Sequence, residues 1–178
     1  MFKKTLLEMF LNVKLNQRIW ESGKVDQQHI YPNPGDSGLA VGAALYAWHQ
    51  SNPDSTIKAP DHLYSGPEFS NAEIEEVLKL RRLKYEYHEN IESVTAQELA
   101  NGKIVGWFQG RMEAGPRALG NRSILMSAND PAAKEVINAR VKFREGFRPF
   151  CPSILSEKSS EYLENHRDEL FMTLRYTF

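Results

Sequence analysis

Three arginines, Arg111, Arg117 and Arg122, share the stretch GRMEAGPRALGNRSIL, which runs from Gly110 to Leu125. A guanidinium is planar, stays charged at any working pH and offers five donors in a fork that matches phosphate or carboxylate. Gly110, Gly115 and Gly120 recur at even spacing among the arginines. Glycine lets backbone N–H groups approach a ligand closely, and successive N–H groups form an anion nest. That recurrence suits a looped segment better than a helix. A second basic run, ARVKFREGFRPF, adds Arg140, Lys142, Arg144 and Arg148, with Pro149 and the rings of Phe143, Phe147 and Phe150 to stiffen it. Two readings follow. Either the cations bind a phosphate-bearing small molecule, or they pair with Glu113, Glu145 and Asp130 and organise loops.

Charge narrows the ligand class. Net charge is −1 over 178 residues, yet Lys103 to Arg148 carries nine Lys/Arg against four Asp/Glu. A basic segment in an otherwise acidic chain suits a local anion site better than a polyanion surface, and no nucleic-acid recognition motif accompanies it. The stretch lacks both the Gly-Lys-Ser/Thr ending of the phosphate loop and the dinucleotide fingerprint. The single cysteine, Cys151, excludes an internal disulfide and a cysteine-built metal site, and reads as a small core residue. No apolar run approaches the ~18 residues of a membrane span. The expected setting is the cytoplasm, with no nucleic-acid or membrane partner.

The elements that must carry these residues alternate between helix and strand, which predicts an α/β or mixed α+β fold. Leu11, Leu15 and Ile19 recur at helical spacing, and Gly23 ends that helix. His29 to Tyr31 predicts a short strand. NPGDSGLAVGAALYAWHQ predicts a turn opening a small-residue helix, with Asp36 or Ser37 as N-cap. Residues 53–69 are proline-rich and read as a linker between 1–52 and 70–178. Asn71 to Leu80 predicts an amphipathic helix with Ile74, Val77 and Leu78 inward. Tyr85 to His88 predicts a strand, and Thr95 with Glu98 a capping box before a stop at Gly102. KIVGWFQG and RSILMSA predict strands. Asp130 and Pro131 predict a helix start, SEKSSEYLENH a further helix, and LFMTLRYTF a last strand.

GWFQGRMEAGPRALGNRSIL, followed by NARVKFREGFRPFCPSIL, resembles the signature of the O-carbamoyltransferase family, of the NodU and the cephamycin and tobramycin type. FLNVKLNQRIW and IYPNPGDSGLAVGAAL are similar to it as well. The resemblance implies the end of an ASKHA-type (actin-like ATPase) domain in 1–52 and part of a YrdC-like domain in 70–178. It implies that carbamoyl phosphate and ATP give carbamoyl adenylate, whose carbamoyl group passes to a small-molecule hydroxyl. Arg117 and Lys142 are then the catalytic candidates, neutralising charge on phosphoryl oxygens. Arg111, Arg122, Arg144, Arg148 and Asn12 are binding candidates or loop organisers. Asp36 matches an aspartate that ligates a divalent metal, iron or magnesium; by spacing alone it reads as a helix cap.

The sequence departs from that family at three places. Histidine metal ligands and the first half of the ASKHA-type domain have no counterpart. Leu7-Glu8-Met9 stands where the family has a Gly-Gly turn, and the family continues beyond FMTLRYTF. The expectation is therefore a fragment, inert alone or completed by the missing half of the enzyme. The rival expectations are a noncatalytic phosphate- or nucleotide-binding module and a subunit that needs a partner chain.

Overall fold

The computed structural model describes residues 8–164 and 169–175. In chain order it contains α1 (Val13–Glu21), α2 (Leu39–Ser51), α3 (Asn71–Leu80), α4 (Ile91–Ala100), β1 (Val105–Phe108), β2 (Arg122–Leu125), α5 (Ala133–Ile137) and α6 (Ser159–Tyr162). Helices joined to a small sheet agree with the mixed α and β class. The two strands form an antiparallel pair in which Val105 faces Leu125 and Phe108 faces Arg122. Among the described residues no helix is long and apolar enough to cross a membrane.

Local chemistry explains the helix ends. The Asn12 side chain accepts the Lys14 and Leu15 N–H groups and caps α1, and Gly23 closes it at φ +63. Ser70 and Glu73 form a reciprocal capping box at α3. Hydrogen bonding to the Ser70 backbone and side chain holds the Glu73 carboxyl below its usual range. At the far end Leu83 N–H reaches Leu78 O and Arg82 N–H reaches Lys79 O, a Schellman closure with Arg82 at φ +53. Gly102 ends α4 in the same manner.

Several expectations fail for identifiable reasons. Thr95 does not start α4; Asn90 accepts Ser93 N–H a turn earlier, and Thr95 lies buried in mid-helix. Neither Asp36 nor Ser37 caps α2. Asp36–Gly38 is a 3-10 turn, and Ser37 Oγ–H is spent on Asn33 Oδ1. Asp130 and Pro131 form a turn, with Asp130 Oδ1 taking Ala132 N–H, and α5 begins only at Ala133. Among the described residues 29–31 and 85–88 have no partner strand; Tyr85 OH donates instead to Glu75. Of the last predicted strand, residues 170–175 are no strand: the Glu169 carboxylate collects the Phe171 and Thr173 N–H groups, and Met172 turns at φ +55. Residues 176–178 lie outside the described residues. Ile74 and Val77 are exposed, and so is Cys151.

The chain divides into two compact units. The first takes residues up to Tyr64, Glu113–Leu119 and the chain from Ile154 onward; the second takes Ser65–Met112 and Gly120–Ser153. The first unit is organised around polar burial. Asn16 is fully buried and donates through Nδ2 to Phe10 O at 2.8 Å and Thr173 O at 2.7 Å. Its backbone carbonyl accepts from Gln28. In the second unit α4 packs on β1, and α5 runs into a π-helical turn, Asn138–Lys142.

The capping box makes a direct forecast. Ser70→Ala removes the acceptor for Glu73 N–H and should cost about 1 kcal/mol of α3 stability. Exchange of the Glu73 and Ile74 amides should quicken roughly fivefold; unchanged exchange would refute the cap. Because the Glu73 carboxyl titrates below 4.5 when folded, its share of stability is complete above that pH. It should be lost as pH falls through the lowered value, and a Glu73→Gln protein should lack that pH dependence.

Candidate functional site

The arginine-bearing stretch is split between the units, and each part is held differently. In the first unit, Glu113–Leu119 is a loop closed on its own first residue. Glu113 is 5% exposed, and its Oε1 accepts Leu119 N–H at 2.7 Å. Leu119 O accepts from Tyr64 OH at 3.0 Å, and Ala114 N–H donates to Leu63 O at 2.8 Å. Leu63 is one of the few apolar side chains that are buried. Gly115 takes φ +96, a conformation that L side chains rarely adopt, and sits against Pro32 and Asn33.

That contact brings the PNPGDSG turn to the arginine loop. Asn33 holds Ser37 through its side chain, and a Cβ at Gly38 would collide with the Asn33 carbonyl. The turn is thus packed at glycine density on one side. Asp36 sits on it with its side chain exposed. Among the described residues no three His, Cys, Asp or Glu side chains gather as a metal-binding group. Asn12 is placed as the cap of α1, with its side-chain oxygen committed to two backbone N–H groups.

Arg117 crowns the loop. It is half-buried, and Nη2 donates to Leu11 O at 3.4 Å. None of the ion pairs among the described residues involves it. Among the described residues the guanidinium makes no further hydrogen bond.

In the second unit the basic residues sort into two kinds. Arg111 donates through Nε to Gly66 O at 3.2 Å and through Nη2 to Ser65 O at 3.3 Å. Asn121 returns a bond to Arg111 O at 2.7 Å. Arg122 lies in β2, opposite Phe108. Arg144 Nε donates to Asn138 Oδ1 at 2.7 Å, and its guanidinium stacks 4.7 Å from the Phe150 ring centre. Arg148 pairs with Glu145 at 3.0 Å. A bond to its own backbone N–H, then the charge of Arg148, holds the Glu145 carboxyl below its usual range. Arg111, Arg144 and Arg148 are therefore tied into their own loops. Arg140 and Lys142 are exposed on the π-helical turn and make no hydrogen bond or ion pair within the described residues.

Two organisers went unnoticed in the sequence. Glu113, read in the sequence as an ion-pair partner, also closes its own loop. Asn138 is buried, donates to Arg148 O at 3.1 Å, accepts from Arg144 and so gathers 138–148 around one amide. The signal for it was an asparagine at the end of the apolar helical pattern, immediately before the basic run. The left-handed Phe143 at φ +46 marks where that helix is broken to present the run.

Comparison with known proteins bears on both halves of the chain. Residues 9–45 match a family model described as carbamoyltransferase N-terminus, and 96–178 match one described as carbamoyltransferase C-terminus. An uncharacterized protein of Synechocystis is 42% identical over 172 residues, covering 92% of this chain and 28% of the relative. Nodulation protein NolO of Bradyrhizobium diazoefficiens is 42% identical over 158 residues, covering 86% of this chain and 28% of its own length. Nodulation protein U of Rhizobium tropici is 37% identical over 147 residues, 83% of this chain and 24% of the relative. The chain thus spans about a quarter of the length of these relatives. With both family models matched in order along one sequence, this chain belongs to the carbamoyltransferase family.

Proposed function

We propose that the chain carries phosphate-handling residues of an O-carbamoyltransferase. In that reading carbamoyl phosphate and ATP give carbamoyl adenylate, and the carbamoyl group passes to a hydroxyl of a small molecule. The observation that supports it most is Arg117, a half-buried guanidinium on a glycine-bearing loop with no carboxylate partner among the described residues. Lys142 is the second anion contact, exposed on its turn and unpaired among the described residues, with Arg140 beside it. Both would neutralise charge on phosphoryl oxygens. Arg111, Arg144 and Arg148 act by holding loops, and Asn12 by capping α1.

The family matches at 9–45 and 96–178 flank residues 53–69. This supports an ASKHA-type remnant in 1–52, a linker, and a partial YrdC-like domain in 70–178. Asp36 is assigned as one ligand of a divalent metal, iron or magnesium, which needs further ligands than the described residues bring together. The single cysteine, with an exposed side chain, supports a cytoplasmic setting.

A second reading, a subunit completed by a partner chain, draws on α2. That helix has no Lys, Arg, Asp or Glu and no buried residue, and Leu39, Tyr46 and Trp48 are 58%, 68% and 48% exposed. A helix apolar on all sides belongs under cover.

Thermal melting with added ligand tests the reading. Carbamoyl phosphate or ATP at ten times its Kd adds ~1.4 kcal/mol to the folded state, which raises Tm by roughly 3 to 6 °C for a chain of this size. Arg117→Ala with Lys142→Ala should abolish the shift. No shift at millimolar ligand, or an unchanged shift in the double variant, would contradict it. Arg111→Ala and Arg148→Ala should lower Tm without ligand and keep the ligand-induced increment, since their donors are already committed. Turnover that appears only after adding the remainder of a relative would favour the subunit reading.

A further inference from the structure

In the first unit Asn16 is the single residue of α1 that is buried, and it is buried completely. Among the described residues its Oδ1 has no hydrogen-bond partner. A stranded acceptor costs free energy that an apolar side chain of the same size would not lose. Filling space therefore does not account for an asparagine at this position. What an apolar side chain cannot do is fix the direction of a carbonyl, and Asn16 fixes three.

Side chains on a helix lean toward its start. Asn16, at the end of the first turn, thus reaches back over the entry to α1. Its Nδ2 donates to Phe10 O at 2.8 Å, and its backbone N–H donates to Asn12 O at 3.1 Å. These two carbonyls flank Leu11, whose own carbonyl accepts from Arg117 Nη2 at 3.4 Å. Peptide groups are planar, so the Leu11 carbonyl sits between two peptide planes that Asn16 has already pinned. The second Nδ2 hydrogen goes to Thr173 O at 2.7 Å, 157 residues further along the chain. Thr173 is held in turn by the Glu169 carboxylate, through its N–H at 3.2 Å and its Oγ1–H at 3.0 Å.

We infer that Asn16 is the positioning residue of Arg117. It sets where the Leu11 carbonyl points, and through that carbonyl where the guanidinium stands before an anion arrives. Asn16 is itself fully buried, so it meets no ligand and acts only through Arg117. Glu113 and Asn16 divide the task. The carboxylate closes the loop that carries Arg117, and the amide places the acceptor that aims its side chain. A group held in advance has less freedom to lose on binding. The value of this for a phosphoryl group rests on the reading proposed above, whereas the placement itself is a property of the free chain.

Side-chain and amide NMR of this chain, free and titrated with carbamoyl phosphate, tests the placement. Asn16→Leu keeps the size of the side chain and removes its donors. In the free variant the Arg117 guanidinium resonances should move to those of a solvated arginine. The Leu119 amide, bonded to Glu113, should stay where it was. Misplacing a binding group by about 1 Å is costly, so the Kd for carbamoyl phosphate should rise roughly tenfold. Arg117→Ala reads the same link from the other end and does not depend on Asn16→Leu folding. Removing the guanidinium frees Leu11 O, and by reciprocity exchange of the Asn16 side-chain NH2 should quicken roughly fivefold. Unmoved Arg117 resonances in Asn16→Leu would overturn the assignment, as would unchanged Asn16 exchange in Arg117→Ala. Joint movement of Arg117 and Leu119 would overturn it too, since the loop would then have come apart as a whole. If carbamoyl phosphate moves no resonance of the unsubstituted chain, the phosphate reading fails, and the free-chain results still decide whether Asn16 places Arg117.

Discussion

The bond from Leu119 N–H to the buried Glu113 carboxylate is the interaction on which the arginine loop depends. A buried carboxylate is costly unless its oxygens are hydrogen-bonded. Here the cost is offset by closing the loop: the same residues that satisfy Glu113 bring Leu119 O to Tyr64 and leave Gly115 against Asn33. A bond to a charged acceptor contributes ~1.5–3 kcal/mol, and stranding the carboxylate would cost more. The chain between Glu113 and Leu119 therefore has little freedom, and Arg117 is held out from it with most donors unspent. An arginine on a slack loop would lose side-chain and backbone entropy on meeting an anion; one on a closed loop has lost part of it already.

A parallel device operates in the second unit. The Asn138 amide both donates and accepts, and it fastens Arg144 and Arg148 O to the end of α5. The helix widens into a π turn and then reverses at Phe143. Such turns interrupt a helix at a cost and are common where side chains must be presented. Arg140 and Lys142 sit on that turn. In both units a buried polar residue shapes the backbone; in the second, arginines brace it, and among the described residues Arg117 of the first unit and Arg140 and Lys142 of the second are left without an ion pair. Charge count alone could not separate bracing arginines from available ones, because both kinds occur within the same few residues.

Much of this organisation was readable in the residues themselves. Helical periodicity located α1 and α3, the small-residue run after the PNPGDSG turn located α2, and the apolar runs KIVGWFQG and RSILMSA located β1 and β2. Glycine C-terminal stops were right at Gly23 and Gly102 because a left-handed closure needs them. Starts were harder. Thr95 and Asp130 each had the right neighbours for a cap, but a competing side chain or a preceding turn took the backbone groups first. Residues 29–31 and 85–88 had strand-like composition but pair with no strand among the described residues. The loop's basic character was visible in composition, whereas the roles of Glu113 and Asn138 depend on burial, which one sequence does not display. The domain identities and the metal came from resemblance alone, since a lone Asp36 has no ligand spacing to read.

Guanidinium and amide NMR during a carbamoyl phosphate titration tests the central claim most directly. If the closed loop presents Arg117 to the phosphoryl group, the Arg117 side-chain resonances and the Leu119 amide move together and saturate. The side chains of Arg111 and Arg148 stay in place. Movement of Arg111 or Arg148 with Arg117 and Leu119 unchanged would contradict the account.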